Sequence, residues 1–193
     1  MLWAYCHEDG LAYDVSIATA HLKPQERQCY EDVLLYLHRK EHGHSTLCNH
    51  GRSHPRWTRP TNRSKAIPTK RRNREMSYPS LPPAVGDPDF NLDTWLGMEW
   101  SEFRSMGEGA PTVAGVYRIR SAKKLVYFGE SKNLRTRLRT HSGDERFSKC
   151  EFSYCQMADA MPHQLKERET DLIGAYYLAA NEPPVYQYKP KMR

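Results

Sequence analysis

The chain has 193 residues, enough for one domain of ordinary size or a smaller domain with an extension. Its hydrophobic content is 38%, low enough that part of the chain is not expected to build a core, and its net charge of +6 favours an acidic partner such as nucleic acid. No apolar run is long enough to span a membrane, the N-terminus lacks the basic and apolar regions of a signal peptide, and five cysteines without a paired framework argue against a disulfide scaffold and for a reducing, cytoplasmic setting.

In chain order, Tyr30 to Arg39 places Val33, Leu34 and Leu37 at helical spacing, with Pro24 suited to a first turn before them. Seven of the nine histidines precede residue 55: His7, His21, His38, His42, His44, His50 and His54. With Cys6 and Cys48 they raise zinc as a ligand, yet Cys48-Asn-His50 is too tight for a knuckle and no second clean pair follows. Residues 52–74 hold Arg52, Arg56, Arg59, Arg63, Lys65, Lys70, Arg71, Arg72 and Arg74, no acidic residue, and Pro55, Pro60 and Pro68. Such a segment cannot offset its ordering entropy by apolar burial, so it is expected to be a solvated linker or a flexible phosphate-binding arm. An alternative reading starts the working protein at Met76 and treats what precedes it as upstream sequence.

Residues 77–92 are proline-rich and read as a linker or extended wrap. Leu92 to Met106 is expected to form a short amphipathic helix whose Trp95 and Trp100 pack in the core. Val113 to Arg120 and Leu125 to Phe128 are rich in β-formers, and Ser121-Ala122-Lys123-Lys124 is a hairpin loop between them. Gly129 is expected to mark a tight turn into a helix starting at Lys132, with Ser131 as its cap and Leu134 and Leu138 on one face. Lys149 to Gln156 alternates as a half-buried strand. Cys150 and Cys155 then point to opposite faces and are not expected to pair. Pro162 opens a helix reaching Ala180, with Leu165, Leu172, Ile173 and Tyr176 at helical spacing. The sum is an α+β fold: a small three-stranded antiparallel sheet flanked by helices over residues 85–193, preceded by a poorly structured basic extension over residues 1–84.

Gly115-Val116-Tyr117 and Tyr127-Phe128-Gly129, ten residues apart from tyrosine to tyrosine, resemble the paired signatures of the GIY-YIG nuclease superfamily. Val116 and Phe128 stand where isoleucine is usual, an apolar exchange in both cases. Further elements follow in order: Arg137, ten residues after Tyr127; His141, one helical turn later; Glu169 in Glu-Thr-Asp-Leu-Ile; and Asn181 twelve residues on. The tail Pro183-Pro184-Val185-Tyr186-Gln187 resembles a family ending with asparagine at its last place, so Asn181 and Gln187 compete for one role.

The resemblance implies a hydrolase, an endonuclease acting on DNA, most simply double-stranded, with magnesium or manganese and no small-molecule cofactor. It implies that Glu169 binds the metal, that Arg137 clamps a phosphate oxygen, that Tyr117 and Tyr127 lie by the scissile phosphate, and that Asn181 orients catalytic groups or substrate by hydrogen bonds. The general base is left open between Tyr117, assisted by His141, and His141 itself, because a phenol near pKa 10 is a weak base unless its pKa is lowered. Gly115 and Gly129 are conformational. Arg135, Arg139 and Lys132 are candidate contacts to the nucleic-acid backbone. Two rivals are a non-cleaving nucleic-acid-binding module on the same fold and a His/Cys metal-binding interaction region in residues 1–75. Homodimerisation is compatible with either. Glu167 and Asp171 are nearby rivals for the metal, and the Glu-x-x-Leu-Ile spacing favours Glu169.

Overall fold

The computed structural model describes residues 12, 14–18, 21–46 and 79–189. The basic segment 52–74, Cys6, His7, Cys48, His50, His54 and Met76 lie outside the described residues. Helix α1 (Pro24–His42) comes first, longer at both ends than the expected Tyr30 to Arg39. Strands β1 (Arg104–Ser105), β2 (Gly115–Ser121) and β3 (Lys124–Ser131) follow, then α2 (Leu134–Ser142), β4 (Glu151–Gln156) and α3 (Pro162–Ala180). The sheet is antiparallel in the order β1-β4-β2-β3. It has four strands where three were expected. The fourth is the two-residue β1, too short to carry a period-2 signal in the sequence.

The hairpin between β2 and β3 turns on Ala122 (φ 47°) and Lys123 (φ 69°), both left-handed, which is the twist a two-residue connection requires. The pairing register shifts after Ile119: Ile119 faces Tyr127 while Arg120 faces Leu125, leaving Val126 as the extra residue of a bulge. Backbone groups on this edge strand are taken up by other parts of the chain. Tyr176 Oη donates to Leu125 O (3.2 Å), Tyr186 N donates to Val126 O (2.9 Å), and Phe128 N donates to Gln187 Oε1 (3.0 Å). The C-terminal tail thus covers an edge that would otherwise invite pairing with another chain.

Two cores form on opposite faces of the sheet. Val116, Leu125 and Phe128 meet Leu172, Ile173 and Tyr176 of α3. Tyr117, Ile119, Phe152 and Tyr154 meet Leu134 and Leu138 of α2 and Phe147. Cys150 joins the second core and Cys155 packs against the first, as their odd spacing implies. Trp95 and Trp100 are both core residues (1% and 6% exposed). The surrounding segment is a 3₁₀ turn at Trp95–Gly97 and extended chain rather than the expected helix, because Leu96 and Gly97 take left-handed conformations. Arg118 is buried between Trp100 and Phe103, its carbon centre 4.4 and 4.8 Å from their rings, and Nη1 donates to Phe90 O (2.9 Å). Burial lowers its pKa to about 10, which still leaves it charged at neutral pH.

Part of the segment expected as an unstructured extension belongs to the packed body. Helix α1 lies on α3, so closely at Gly174 that a Cβ there would press on Asp32 O and Tyr36 Cβ at 2.7 Å. Arg39, fully enclosed, donates from Nε to Asp171 Oδ1 (2.7 Å) and from Nη2 to Asp171 Oδ2 (3.2 Å), and its Nη1 lies 3.4 Å from Glu167 Oε1. Ser45, Ser80 and Leu81 N satisfy Glu167, and Ala84 N donates to Asp171 Oδ2. Tyr188 Oη on the tail donates to Asp32 Oδ2 (2.6 Å). Removing Arg39 would strand two interior carboxylates. Arg39→Leu is therefore expected to cost about 3–5 kcal/mol, read as a lower urea midpoint. A midpoint unchanged within error would mean that α1 contributes no docking energy.

Candidate active site

Tyr117 sits in the central strand β2, completely buried, opposite Gly129 on β3 and Tyr154 on β4. Its ring lies across Gly129. A Cβ on Gly129 would collide with the Tyr117 ring and hydroxyl. Gly129 therefore serves a different purpose from the expected tight turn: it lies within β3, with no positive φ, and supplies lateral room. Gly115 is read as expected for strand crowding, since a Cβ there would strike Cys155 O and the Leu134 side chain.

The second component is α2. It begins at Leu134, not Lys132. Asn133 rather than Ser131 is its cap, accepting from Thr136 N through Oδ1 (3.1 Å). Two first-turn N–H groups bind the preceding loop, Leu134 N to Val113 O (2.9 Å) and Arg135 N to Pro111 O (3.1 Å), which fixes the helix against β2. Arg137 and His141 are four residues apart and share a face. That face is turned to Tyr117. Arg137 Nε donates to Tyr117 Oη at 3.1 Å, and Tyr117 Oη lies 2.8 Å from His141 Nε2.

With the arginine donating, the tyrosine's own hydrogen is free to be directed at Nε2 when His141 carries its proton on Nδ1. His141 is 7% exposed and stands edge-on to Phe147, with ring centroids 4.9 Å apart. Tyr127 stacks beside Tyr117, centroids 6.2 Å apart and planes at 26°, and lies 5.2 Å from the His141 ring. It is only partly buried, so the pair grades from interior to surface.

Burial is the largest cause raising the Tyr117 pKa well above 10, with Tyr127 and Glu169 adding to it and Arg137 opposing. Tyr127 is raised for the same first reason, with Glu169 next. The Tyr117 hydroxyl holds Arg137 even more firmly protonated than usual. Glu169, partly buried on α3, is near enough to raise the pKa of both tyrosines. Its rivals are elsewhere. Glu167 and Asp171 share the opposite side of α3, where Arg39 and the 80–84 segment use them. Among the described residues, no group of three or more His, Cys, Asp or Glu side chains is arranged to hold a metal ion. A lone carboxylate with hard oxygen donors suits magnesium or manganese, which retain several waters and accept one or two carboxylates.

The late polar positions separate clearly. Asn181 is exposed and ends α3 in a left-handed conformation (φ 54°), its N–H bound to Tyr177 O. Gln187 is the buried one, 2% exposed, and holds β3 at Phe128 N. Arg139 and Lys132 are exposed; Arg135 is exposed too, but its Nε donates to Ala110 O (2.9 Å).

Glu130 and Lys166 were not anticipated. Glu130 is partly buried beside Gly129, its carboxyl pKa raised by burial and opposed by Lys166, Arg137 and Lys132. The signal was present, since Glu130 is the single acidic residue between Gly115 and His141.

Residues 113–177 match the family described as GIY-YIG catalytic domain. The matched stretch contains Tyr117, Tyr127, Arg137, His141 and Glu169 and ends before Asn181 and Gln187. No curated protein and no solved structure matches the chain. No helix among the described residues is long and apolar enough to cross a membrane.

Two measurements probe this geometry. Gly129→Ala is expected to cost about 1–3 kcal/mol in urea unfolding through overpacking against the Tyr117 ring; a neutral result would mean the ring does not need that space. Tyr117 has a raised pKa in the folded state, so its contribution to stability is complete below about pH 10 and is lost as pH climbs towards the folded value. In an alkaline phenolate titration, Tyr117→Phe should remove absorbance from the late-titrating fraction. Loss from the early fraction instead would contradict the buried assignment.

Proposed function

We propose, from the GIY-YIG catalytic domain that residues 113–177 carry, that this protein is a divalent-metal-dependent endonuclease hydrolysing DNA phosphodiester bonds. The observation that supports it best is the convergence of Arg137, His141 and the influence of Glu169 on one buried tyrosine hydroxyl. A nuclease-family domain without cutting activity would have no need to gather a cation, a proton acceptor and a carboxylate at that point.

Hydrolysis requires an activated water, charge stabilisation at phosphorus and help for the leaving oxygen. Glu169 is the residue that would hold magnesium or manganese, whose chemistry there would be charge neutralisation at the phosphate. Arg137 presents a planar guanidinium, hydrogen-bonded to Tyr117 and Tyr127 and exposed to solvent, that would bind a nonbridging oxygen. A Tyr117 hydroxyl with a raised pKa stays protonated at neutral pH, which disfavours it as an unaided base. The geometry supports a relay: Tyr117 passes its proton to His141 Nε2 as it accepts one from water, and Arg137 stabilises the oxygen during the exchange. Tyr127, nearer the surface, positions the substrate. Arg135, Arg139 and Lys132 extend the basic edge along which a DNA backbone would run, each offset by its exposure to salt.

The test is supercoiled plasmid with magnesium or manganese, wild type beside Glu169→Gln and Tyr117→Phe. Nicking by the wild type is expected, falling to below about a hundredth in Glu169→Gln while DNA binding persists. Binding without cutting by every form would favour the non-cleaving module. Cutting that survives Glu169→Gln would mean the metal ligand lies elsewhere.

A further inference from the structure

Helix α1 carries apolar residues on two faces. Cys29, Asp32, Val33, Tyr36 and Arg39 are buried on the side that docks on α3. Away from that side, Tyr30, Leu34 and Leu37 are 45%, 55% and 42% exposed. At 100° per residue these three directions fall within about 60° of one another, so they form one stripe. A helix face that met only water would carry polar residues there. Arg27 and Glu41, both exposed, continue the stripe at its two ends. Arg27, Tyr30, Leu34, Leu37 and Glu41 thus recur at alternating three- and four-residue intervals, the spacing of a seam between paired helices. Tyr30 also meets Tyr177 edge-on, ring centroids 6.3 Å apart, which continues the apolar surface onto α3.

The charges at the ends of the stripe decide what fits it. Arg27 stands at one end and Glu41 at the other, with Leu34 midway between them. A two-fold axis through Leu34 reverses the helix. It brings Arg27 of each copy to Glu41 of the other, Leu34 onto Leu34, and Tyr30 beside Leu37. A parallel pairing instead sets Arg27 on Arg27 and Glu41 on Glu41, like charge against like. The stripe is therefore complementary to itself in the antiparallel orientation and repels itself in the parallel one.

We propose that this face is a dimer interface, in which α1 pairs antiparallel with α1 of a second copy along Arg27, Tyr30, Leu34, Leu37 and Glu41. The side of α1 that docks on α3 is not the one used, so pairing leaves Arg39 with Asp171 and Glu167. Helix α1 holds none of Tyr117, Tyr127, Arg137, His141 and Glu169, so the interface does not rest on the nuclease reading. A seam of five side chains from each copy is small among protein interfaces, which sets the expected association in the micromolar range rather than as a permanent dimer.

The test is sedimentation equilibrium of the untagged full-length protein from about 1 to 200 µM. The wild-type mass is expected to rise with concentration from 22.5 kDa towards twice that value. Leu34→Arg sets two cations on the axis and should stay monomeric throughout, with an unchanged urea midpoint because Leu34 is exposed. Arg27→Glu and Glu41→Arg should each weaken the dimer about tenfold or more, and the two together should restore it. Both reversals suit the helix dipole, so a loss in the single variants would not come from fraying of α1. A wild type that is monomeric at every concentration would overturn the proposal. So would a dimer that Leu34→Arg leaves intact, or a charge-swapped double variant as weak as the single ones.

Discussion

One steric allowance governs the site: the missing side chain at Gly129. Tyr117 comes from the central strand and is completely buried, so its ring must lie across the neighbouring strand. Only a residue without Cβ leaves that space. With the ring laid over β3, its hydroxyl emerges where α2 presents Arg137 and His141 one helical turn apart. The basic helix meets that hydroxyl directly, Tyr127 stacks on the same ring, and Phe147 stands edge-on to both Tyr127 and His141.

The carboxylate partner depends on a second constraint, the fixed rotation of α3. Glu167 and Asp171 are four residues apart, and Glu169 is turned by about 200° from Glu167 at 100° per residue. Once Arg39 has claimed the first two in the interior, Glu169 has to face the other way, toward the tyrosines. Helix α1 is thus part of the reason the site is assembled, though it contributes no residue to it. The tail works to the same end, binding β3 through Gln187 and Tyr186 and α1 through Tyr188.

Burial sets the chemistry of the site as much as contact does. The phenol of Tyr117 is held neutral by its enclosure, while Arg137 stays charged beside it at the protein surface. A proton passed along Tyr117 and His141 would move between two buried groups. The same logic runs through Arg118, which keeps its charge in the core because two aromatic faces and a carbonyl replace water around it.

What the sequence by itself determined is what short-range periodicity can encode. Alternation set Cys150 opposite Cys155. A four-residue interval joined Arg137 to His141, and Pro162 with the helical spacing after it outlined α3 to about Ala180. The motif pair carried the resemblance, and the family match over residues 113–177 contains it. What only the tertiary structure decided concerns partners far apart in the chain. Arg39 and Asp171 are separated by 132 residues, and no local pattern links them, so a helix that the composition assigned to an extension proved to be docked. Gly174 was the one sequence clue to that docking, because a glycine inside a helix costs about 1 kcal/mol and calls for a packing reason. The division between Asn181 as an exposed cap and Gln187 as the buried residue has the same origin: both are small amides in a polar tail, and only the edge of β3 distinguishes them.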